Sequence, residues 1–353
     1  MKNTRLLFAV AALLFSIHAN AQTPEYKIFL IGDAGDEETT GQTLDSLGSQ
    51  LQRNPNSAVV FLGDNSYSHA FFGLASTGWR GFDSTGVTER RVRSQLGILN
   101  NYKGSVYFVP GNHDWWNRIS IKRGKPKLKL EENFITKNLV QNPNIKNPEK
   151  TYLPQNGEPG PAAVDLDNGK VKLICIDSYW LIISGFKKNH TDNVIAAEKQ
   201  FYHNLDSILA DATAKHQVAI VASHHPVYGD GLNKTHKHFF FPKRIEQQFM
   251  SFYAYHRMIG QMLPILKKYP GTYYATGHLH AMQYHYADNI HYIISGAGSK
   301  IHHKSKKEMD AVKARTSNDW DLYNEKGFFE LDLYPDSQKI IVHYDEGKKQ
   351  SEL

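Results

Sequence analysis

The sequence predicts an α/β protein of mixed α+β type, in which parallel and antiparallel strands both occur, and three observations indicate this class. Up to Val109, short apolar runs alternate with amphipathic helices in the βαβαβ order of a parallel sheet. Asp167-Asn168-Gly169 separates the apolar runs 162–166 and 170–176, as the turn of an antiparallel hairpin does. Further strand patterns follow near the carboxyl end, at residues 281–287, 290–295, 327–333 and 338–344.

The parallel segment opens with a strand at 27–31 and a helix at 41–53, in which Leu44, Leu47 and Leu51 lie on one face. It continues with a strand, a helix and a strand, at residues 58–62, 87–102 and 106–109. Next come an irregular basic segment at 115–127, a helix at 128–140 and a loop at 141–161. A long helix at 194–214 precedes a strand at 218–222. A basic loop at 229–244, a helix at 245–269 and a strand at 272–276 follow. Pro264 is expected to kink or break the helix at 245–269.

The length and composition are those of a soluble globular protein. The chain of 353 residues can form one large domain or two ordinary ones, and it can bury a core of normal size. Because the sequence has no internal repeat, low-complexity block or clean linker, we expect residues 22–353 to form a single domain. Cys175 is the only cysteine and lies within an apolar run, so we expect a buried thiol and no internal disulfide.

The first 21 residues are predicted to be a cleaved signal peptide that directs export to the periplasm or the medium. Lys2 and Arg5 give a positively charged start, and an apolar run at 6–17 follows them. Ala19-Asn20-Ala21 has the small residues of a cleavage site. The apolar run is shorter than the roughly 20 residues that a membrane-spanning helix needs. We therefore expect a mature chain that begins at Gln22 and has no membrane span.

The charge of the chain is modestly basic. The formal net charge is +6, and it becomes +4 when Lys2 and Arg5 leave with the signal peptide. The excess is concentrated at residues 118–129 and 302–307. Such clusters can steer anionic substrates toward a site, but they fit a solvated loop surface equally well. We find no nucleic-acid-binding motif in the sequence.

Polar side chains follow five apolar strands at the point where each strand ends. The five loops are Gly32-Asp33-Ala34-Gly35, Gly63-Asp64-Asn65-Ser66-Tyr67, Gly111-Asn112-His113-Asp114, Val221-Ala222-Ser223-His224 and Gly277-His278-Leu279-His280. In α/β proteins, the carboxyl ends of parallel strands open into the crevice in which ligands bind. The loops supply carboxylates, an amide, a phenol and imidazoles but no thiolate, and this donor set suits Fe, Mn or Zn. A pair of such ions about 3.5–4 Å apart can clamp the attacking and leaving oxygens of a phosphoryl transfer.

Several of these residue types also have an ordinary structural explanation. A strand-end aspartate often caps the following helix, and a tyrosine is often a packed aromatic residue. For His225 and for Trp115 and Trp116, which adjoin two of the loops, a place in the site and a place in the scaffold are equally open. The histidines of the basic loop at 229–244 fit an exposed polar loop better than a lid over a phosphate.

The five loops resemble, in the same order, the motifs of the calcineurin-like metallophosphoesterase superfamily: D-x-G, G-D-x-x-Y, G-N-H-D, V-x-x-H and G-H-x-H. The resemblance spans about residues 27–300 and implies a four-layer α/β/β/α sandwich with two mixed β-sheets. Most of the superfamily has a histidine where this chain has Gly35 and lacks a residue like Tyr67. Both features are similar to the purple acid phosphatase branch, especially its small tartrate-resistant type.

The resemblance also implies a binuclear metal centre. One ion, Fe(III), would be held by Asp33, Asp64, Tyr67 and His280. The second ion, Fe(II), Zn or Mn, would be held by Asp64, Asn112, His224 and His278. Asp64 would bridge the two ions.

The activity implied by the resemblance is that of an acid phosphatase. His113 would contact the phosphate and protonate the leaving alkoxide, while a metal-bound hydroxide attacks phosphorus in line. His225 and Asp114 are further candidates for substrate contacts. We therefore expect a monomeric, exported enzyme that hydrolyses phosphomonoesters of small molecules or phosphoproteins. A phosphodiesterase or nucleotide hydrolase with the same metals is the alternative, and a non-catalytic metal-binding protein is a third reading.

The sequence departs from the branch in two respects. A single cysteine excludes the disulfide that is usual in the tartrate-resistant type. The first metal motif follows soon after the expected cleavage site, so we expect no N-terminal β-domain of the plant type.

Overall fold

The structure, a computed structural model, describes residues 23–67, 86–116, 119–229, 253–301, 303–307 and 320–353. Strands β1 to β13 lie at Tyr26–Ile31, Ser57–Leu62, Ser105–Val109, Ala162–Leu166, Val171–Cys175, Val218–Ala222, Tyr273–Thr276, Met282–Ala287, Ile290–Ser295, Trp320–Leu322, Phe328–Leu333, Gln338–Tyr344 and Lys349–Glu352. Helices α1 to α6 lie at Gln42–Arg53, Val87–Gly97, Ile121–Val140, Ser178–Ser184, Asp192–Ala214 and Tyr253–Leu266. The predicted signal peptide, the basic loop after Gly229 and the helix start at 245–252 lie outside the described residues.

The strands form two mixed sheets, which confirms the predicted fold class. The first sheet has the order β13-β12-β11-β1-β2-β3, in which β1, β2 and β3 are parallel and β11 pairs antiparallel with β1. The second sheet has the order β10-β8-β9-β7-β6-β5-β4, in which β5, β6, β7 and β9 are parallel. The predicted hairpin around Asn168 forms the β4–β5 edge of this sheet. Each sheet therefore contains a block of adjacent parallel strands that end at the same side.

Alternate side chains of the strands form two separate cores, because successive residues of a strand point to opposite faces of a sheet. Ile28 and Leu30 of β1 belong to a core that also includes Ile220 of the second sheet. Phe29, which lies between them, belongs to a core that includes Leu47 of α1. The two sheets thus pack face to face, and the helices cover their outer faces.

The structure corrects three predicted helix bounds. Helix α3 begins at Ile121 rather than at residue 128, because the basic residues of this segment are good helix formers that lie mostly on its exposed side. Helix α2 ends at Gly97 rather than at residue 102. Helix α6 runs through Pro264 to Leu266, so the expected break does not occur there, although the helix stops before residue 269.

Three short elements were not predicted from the sequence, namely α4, β10 and β13. The seven residues of α4 are all buried, so the segment lacks the polar face that makes a helix visible as a periodic pattern. Its start is fixed by Asp177, whose carboxylate accepts the Trp180 N–H at 2.8 Å. This helix lies directly after β5 and contributes, through Ser178, to the site described below.

Cys175 is buried in β5, as predicted, and burial raises the pKa of its thiol. Because the thiolate is the reactive form of cysteine, this residue serves packing alone. Within the described ranges, no helix combines the length and the apolar character that crossing a membrane would require.

Candidate metal centre

The strand-end loops of both sheets meet at one place. The loops after β1, β2 and β3 of the first sheet lie against those after β6 and β7 of the second sheet. Backbone hydrogen bonds connect neighbouring loops within each sheet, from Asp33 N–H to Gly63 O at 3.0 Å and from Gly277 N–H to His224 O at 3.1 Å. The His278 N–H crosses from the second sheet to the first and donates to Asp33 Oδ2 at 2.6 Å. The structure thereby assembles every predicted ligand, namely Asp33, Asp64, Tyr67, Asn112, His224, His278 and His280.

The first group of donors consists of Asp33, Tyr67 and His280. The Tyr67 hydroxyl donates to Asp33 Oδ1 at 2.7 Å, and His280 Nε2 lies 3.2 Å from the Tyr67 hydroxyl oxygen and 3.4 Å from Asp33 Oδ1. The other Asp33 oxygen accepts the His278 N–H at 2.6 Å, which orients the carboxylate. Three donor atoms thus surround one point, as the ligands of a single ion would.

The second group consists of Asn112, His224 and His278. Asn112 Oδ1 lies 3.1 Å from His224 Nε2 and 3.2 Å from His278 Nδ1. His224 Nδ1 lies 2.9 Å from the Leu62 carbonyl oxygen, to which it can only donate. In the neutral imidazole this tautomer leaves the Nε2 lone pair free for a metal, as is usual for ligating histidines.

Asp64 lies between the two groups. Its Oδ1 accepts the His113 N–H at 2.8 Å and lies 3.4 Å from His224 Nε2. Asp33, Asp64 and His224 are all buried, and one donor atom from each lies within 4.8 Å of those of the other two. The donor set of carboxylates, amide oxygen, phenol and imidazoles fits two hard or borderline metal ions, with Asp64 placed to contact both.

Three of these residues have a left-handed backbone conformation that residues other than glycine rarely adopt. The φ angles of Asp33, Asp64 and His278 are 55°, 52° and 67°. Non-glycine residues with positive φ cluster at functional sites, where the surrounding structure holds the strained backbone in place. The strain turns these side chains out of the strand direction and toward the common centre.

Asp64 and His224 are placed as an ion pair, with Asp64 Oδ1 at 3.4 Å from His224 Nε2. Burial opposes both charges, but the attraction between the two groups outweighs it, lowers the pKa of the Asp64 carboxyl well below its usual range and raises the pKa of His224 to about 9. Protonated His224 therefore brings positive charge to within 3.4 Å of the Asp64 carboxylate. Metal binding must displace this proton, so we expect the affinity for the metal to fall at acid pH.

His113 differs from the predicted ligands in its position. Its Nε2 lies 4.0 Å from Asp64 Oδ2, and its ring packs on that of Tyr67 with centroids 4.4 Å apart. Burial lowers the pKa of His113, with Lys300 and His224 acting in the same direction and Asp64 against it. The side chain of His113 is 13% exposed against 2% for Asp64, so His113 is the more accessible of the two to a substrate.

Asp114 has a scaffold position, which differs from the predicted substrate contact. Its carboxylate is fully buried. One oxygen accepts the Gly111 N–H at 2.7 Å and the Asn65 amide at 3.0 Å, and the other accepts the Ser66 N–H at 3.0 Å. Asp114 thus connects the second and third loops, and in this structure it has no surface to offer a substrate.

Trp115 and Trp116 also belong to the scaffold. Trp115 is fully buried and donates its indole N–H to Asp177 Oδ2 at 2.8 Å. Trp116 is 5% exposed, and the Lys127 ammonium lies 4.3 Å from the centre of its ring. The sequence left open whether these two residues belong to the site or to the core, and the structure supports core packing.

Glu131 of α3 supports the loops from behind, and the sequence analysis missed it. Its Oε2 accepts the Ser66 hydroxyl at 2.6 Å, and its other oxygen lies 3.4 Å from the Tyr152 hydroxyl. A signal for it was present, because Glu131 follows Leu128 by three residues and precedes Ile135 by four, on the buried face of the helix. Burial raises the pKa of Glu131 to about 7 and raises the pKa of its neighbour Asp114 well above the usual range.

We expect Glu131→Gln to flatten the pH dependence of stability in the metal-depleted protein. A carboxyl with a raised pKa in the folded state favours folding in acid, and this contribution is lost as pH rises from about 4.5 to about 7. The shift is roughly 2.5 pKa units, so at 1.36 kcal/mol per unit the wild-type loss is on the order of 3–4 kcal/mol. Urea unfolding at several pH values would measure it, with the exposed Glu149→Gln as control. An unchanged slope in Glu131→Gln would show that Glu131 is not the group responsible.

The fold and the site together define the class of the protein. An α/β/β/α sandwich with a carboxylate between two donor groups at its strand ends is the architecture of a dimetal phosphoesterase. A sequence profile described as "Calcineurin-like phosphoesterase" matches residues 26–282, and this chain belongs to that family. The matched region contains all five loops.

Two solved structures illustrate the likeness. The chain is 17% identical to "GAP50 the anchor in the inner membrane complex of Plasmodium", with a TM-score of 0.57, covering 93% of this chain and 88% of that one. It is 13% identical to "a dimetal phosphatase from Danio rerio", with a TM-score of 0.52, covering 93% of this chain and 98% of that one. At these identities the likeness concerns the fold. A search of curated protein sequences finds no match.

Proposed function

We propose that this phosphoesterase is an exported acid phosphatase that hydrolyses phosphomonoesters at a binuclear metal centre. The observation that carries the proposal is the position of Asp64 between two donor groups, with the more exposed His113 at 4.0 Å from its carboxylate. One structural neighbour is described as an anchor and another as a phosphatase, so the fold alone does not distinguish a catalyst from a binding protein. The proposal therefore depends on the side chains of the site.

Each ion of the pair has its own set of protein donors. Asp33, Tyr67 and His280 would hold the first ion, Asn112, His224 and His278 the second, and Asp64 both. Two such ions, when bound, lower the pKa of a water molecule and neutralise charge on the phosphoryl oxygens. The protein does the rest by orientation. The His113 N–H fixes the Asp64 carboxylate, the Leu62 carbonyl fixes the tautomer of His224, and the His278 N–H fixes Asp33.

The ring of His113 would hold and move the proton of the leaving group. Its Nε2 is close to Asp64, and the ammonium of Lys300 lies 3.5 Å from the centre of the Tyr67 ring, against which His113 packs. A phosphate dianion would meet positive charge from Lys300 there and a proton donor in protonated His113. General acid catalysis by a residue so placed typically contributes about 10²–10⁴-fold to the rate.

The purple acid phosphatase branch is the finer part of the proposal, and Gly35 and Tyr67 support it. A Cβ atom on Gly35 would overlap the backbone of Asn65 and Ser66, so the structure has no room there for the histidine that most of the superfamily carries. The Tyr67 hydroxyl lies in the first donor group instead. Burial and the carboxylates of Asp33 and Asp64 raise the pKa of Tyr67 well above its usual range, and a phenolate at this position would favour Fe(III).

We expect Tyr67→Phe to abolish a visible absorption band of the iron-loaded protein. The band would arise from charge transfer between the phenolate and Fe(III), which the phenyl ring cannot provide. Absorption spectroscopy with metal analysis would test this. The matched control is Tyr255→Phe, which changes a buried tyrosine of helix α6. A wild-type protein that holds only Zn or Mn and has no visible band would contradict the branch assignment.

The experiment that tests the proposed function compares a chromogenic phosphomonoester with the corresponding diester from acid to neutral pH. Faster hydrolysis of the monoester with an acidic optimum is the expected result. Preference for the diester would favour the alternative phosphodiesterase or nucleotide hydrolase. No turnover of either ester by protein that holds two metal ions would favour a metal-binding protein without catalysis. Detection of the mature chain outside the cytoplasm, beginning at Gln22, would test the export.

A further inference from the structure

His225 has a buried nitrogen atom without a partner. The residue is fully buried, and its Nδ1 lies 2.9 Å from the Ser178 hydroxyl, whereas its Nε2 has no hydrogen-bond partner among the described residues. A buried polar atom without a partner destabilises the folded state. A nitrogen left in this state beside a ligand site is expected to have a partner when the site is filled.

The imidazole of His225 lies against the second donor group. One ring nitrogen from each of His224, His225 and His278 lies within 4.8 Å of those of the other two. The ring centroid of His225 is 4.3 Å from that of His278 and 4.8 Å from that of His224. The rings of Tyr179 and Tyr255 pack on other sides of His225, with centroids 5.9 and 5.3 Å away. Two tyrosine rings therefore pack on His225, and the polar rings that it faces are those of His224 and His278.

We propose that His225 Nε2 is an additional ligand of the second metal ion. The inference rests on the proposed metal centre and goes beyond the ligands that the family resemblance implies, which are Asp64, Asn112, His224 and His278. A second site with three imidazoles has more nitrogen than oxygen donors. Imidazole suits Zn and Fe, whereas carboxylate, carbonyl and water suit Mn and Mg, so His225 makes the second position select Zn(II) or Fe(II) over Mn(II).

Ser178 holds the ring in the orientation that ligation requires. Its hydroxyl oxygen accepts the backbone N–H of His225 at 3.0 Å and can also accept the Nδ1–H of the same residue. A histidine whose Nδ1 carries the proton presents the lone pair of Nε2 to the metal, and a partner on the other nitrogen is the usual support of a ligating histidine. The opposite tautomer, with Nε2–H donating to a bound phosphate, makes a different prediction in the experiment below.

The test uses the full chain loaded with Zn(II) and compares wild type with His225→Phe, which fills the same buried volume without a nitrogen. X-ray absorption spectroscopy should show fewer imidazole nitrogens per zinc in the variant. Competition with a chelator should show that the weaker-bound zinc is held at least about tenfold less tightly. The preference for Zn(II) over Mn(II) should fall as well. Tyr255→Phe, which loses a hydrogen bond to the Pro226 carbonyl, should leave all three quantities unchanged.

The outcomes separate this inference from the proposed function. Two bound zinc ions with unchanged affinity and imidazole count in His225→Phe would overturn the ligand assignment and leave the phosphatase proposal intact. Unchanged zinc affinity with weaker binding of inorganic phosphate would overturn it in favour of the Nε2–H donor. A wild-type chain that binds no second ion would overturn both. If His225→Phe does not fold, Ser178→Ala replaces it, and zinc affinity equal to that of wild type would then count against the inference.

Discussion

Asp64→Asn is expected to lower kcat/KM for a phosphomonoester by at least about 10³-fold, because the substitution removes the carboxylate shared by both metal ions. The substitution keeps the shape of the side chain and an oxygen that can accept the His113 N–H, so the loop is expected to keep its conformation. It removes the one negative charge that lies between the two donor groups. Without that charge, the two ions would repel each other across a neutral amide, and at least one is expected to leave.

Metal analysis and steady-state kinetics on the same preparation would measure this effect. Asp165→Asn is a suitable control, because Asp165 is an acidic residue on β4, outside the site, whose partner is Lys172. The control should retain both ions and full turnover. If Asp64→Asn also retained both ions and near-normal turnover, Asp64 would not be a bridging ligand, and the binuclear centre would have to be built from other residues.

The residues of the site could be predicted from the sequence because each one lies in a loop that directly follows a strand. Strand-end loops of a parallel sheet converge by topology, so the order of the loops was enough to bring Asp33 beside Gly63 in one sheet and His224 beside Gly277 in the other, but not to bring Asn112 near His278 across the two sheets. The second sheet could not be placed in this way. Its contact with the first depends on which faces pack together, and apolar runs buried on both faces carry no alternation to show this.

The support of the site was largely invisible in the sequence. Glu131 lies on a helix that the predicted boundary just included, but its role depends on Ser66 and Tyr152, which are distant in the chain. The positive φ angles of Asp33 and Asp64 could not be predicted from the sequence. Aspartate adopts a left-handed conformation more often than most residues, but this preference is too weak to indicate it at a given position. Asp114 was misplaced for a related reason. Its neighbours in sequence are site residues, but its hydrogen bonds turn it inward.

His113→Ala is expected to lower kcat for an alkyl phosphate by about 10²–10⁴-fold while both metal ions stay bound. His113 contributes its backbone N–H to Asp64, and alanine keeps that bond, so the ligands should be unaffected. The side chain supplies a proton only if the leaving group needs one. The loss should therefore be much smaller for an aryl phosphate whose phenol is acidic enough to depart as the anion.

This dependence on the leaving group distinguishes an acid catalyst from a residue that merely binds phosphate. A binding residue contacts the phosphoryl oxygens, which alkyl and aryl esters share, so its removal would slow both by the same factor. A plot of log kcat against the pKa of the leaving group should be shallow in wild type and steep in His113→Ala. Parallel lines would assign His113 to phosphate binding and transfer the search for the acid to Lys300, whose ammonium lies over the adjacent Tyr67 ring.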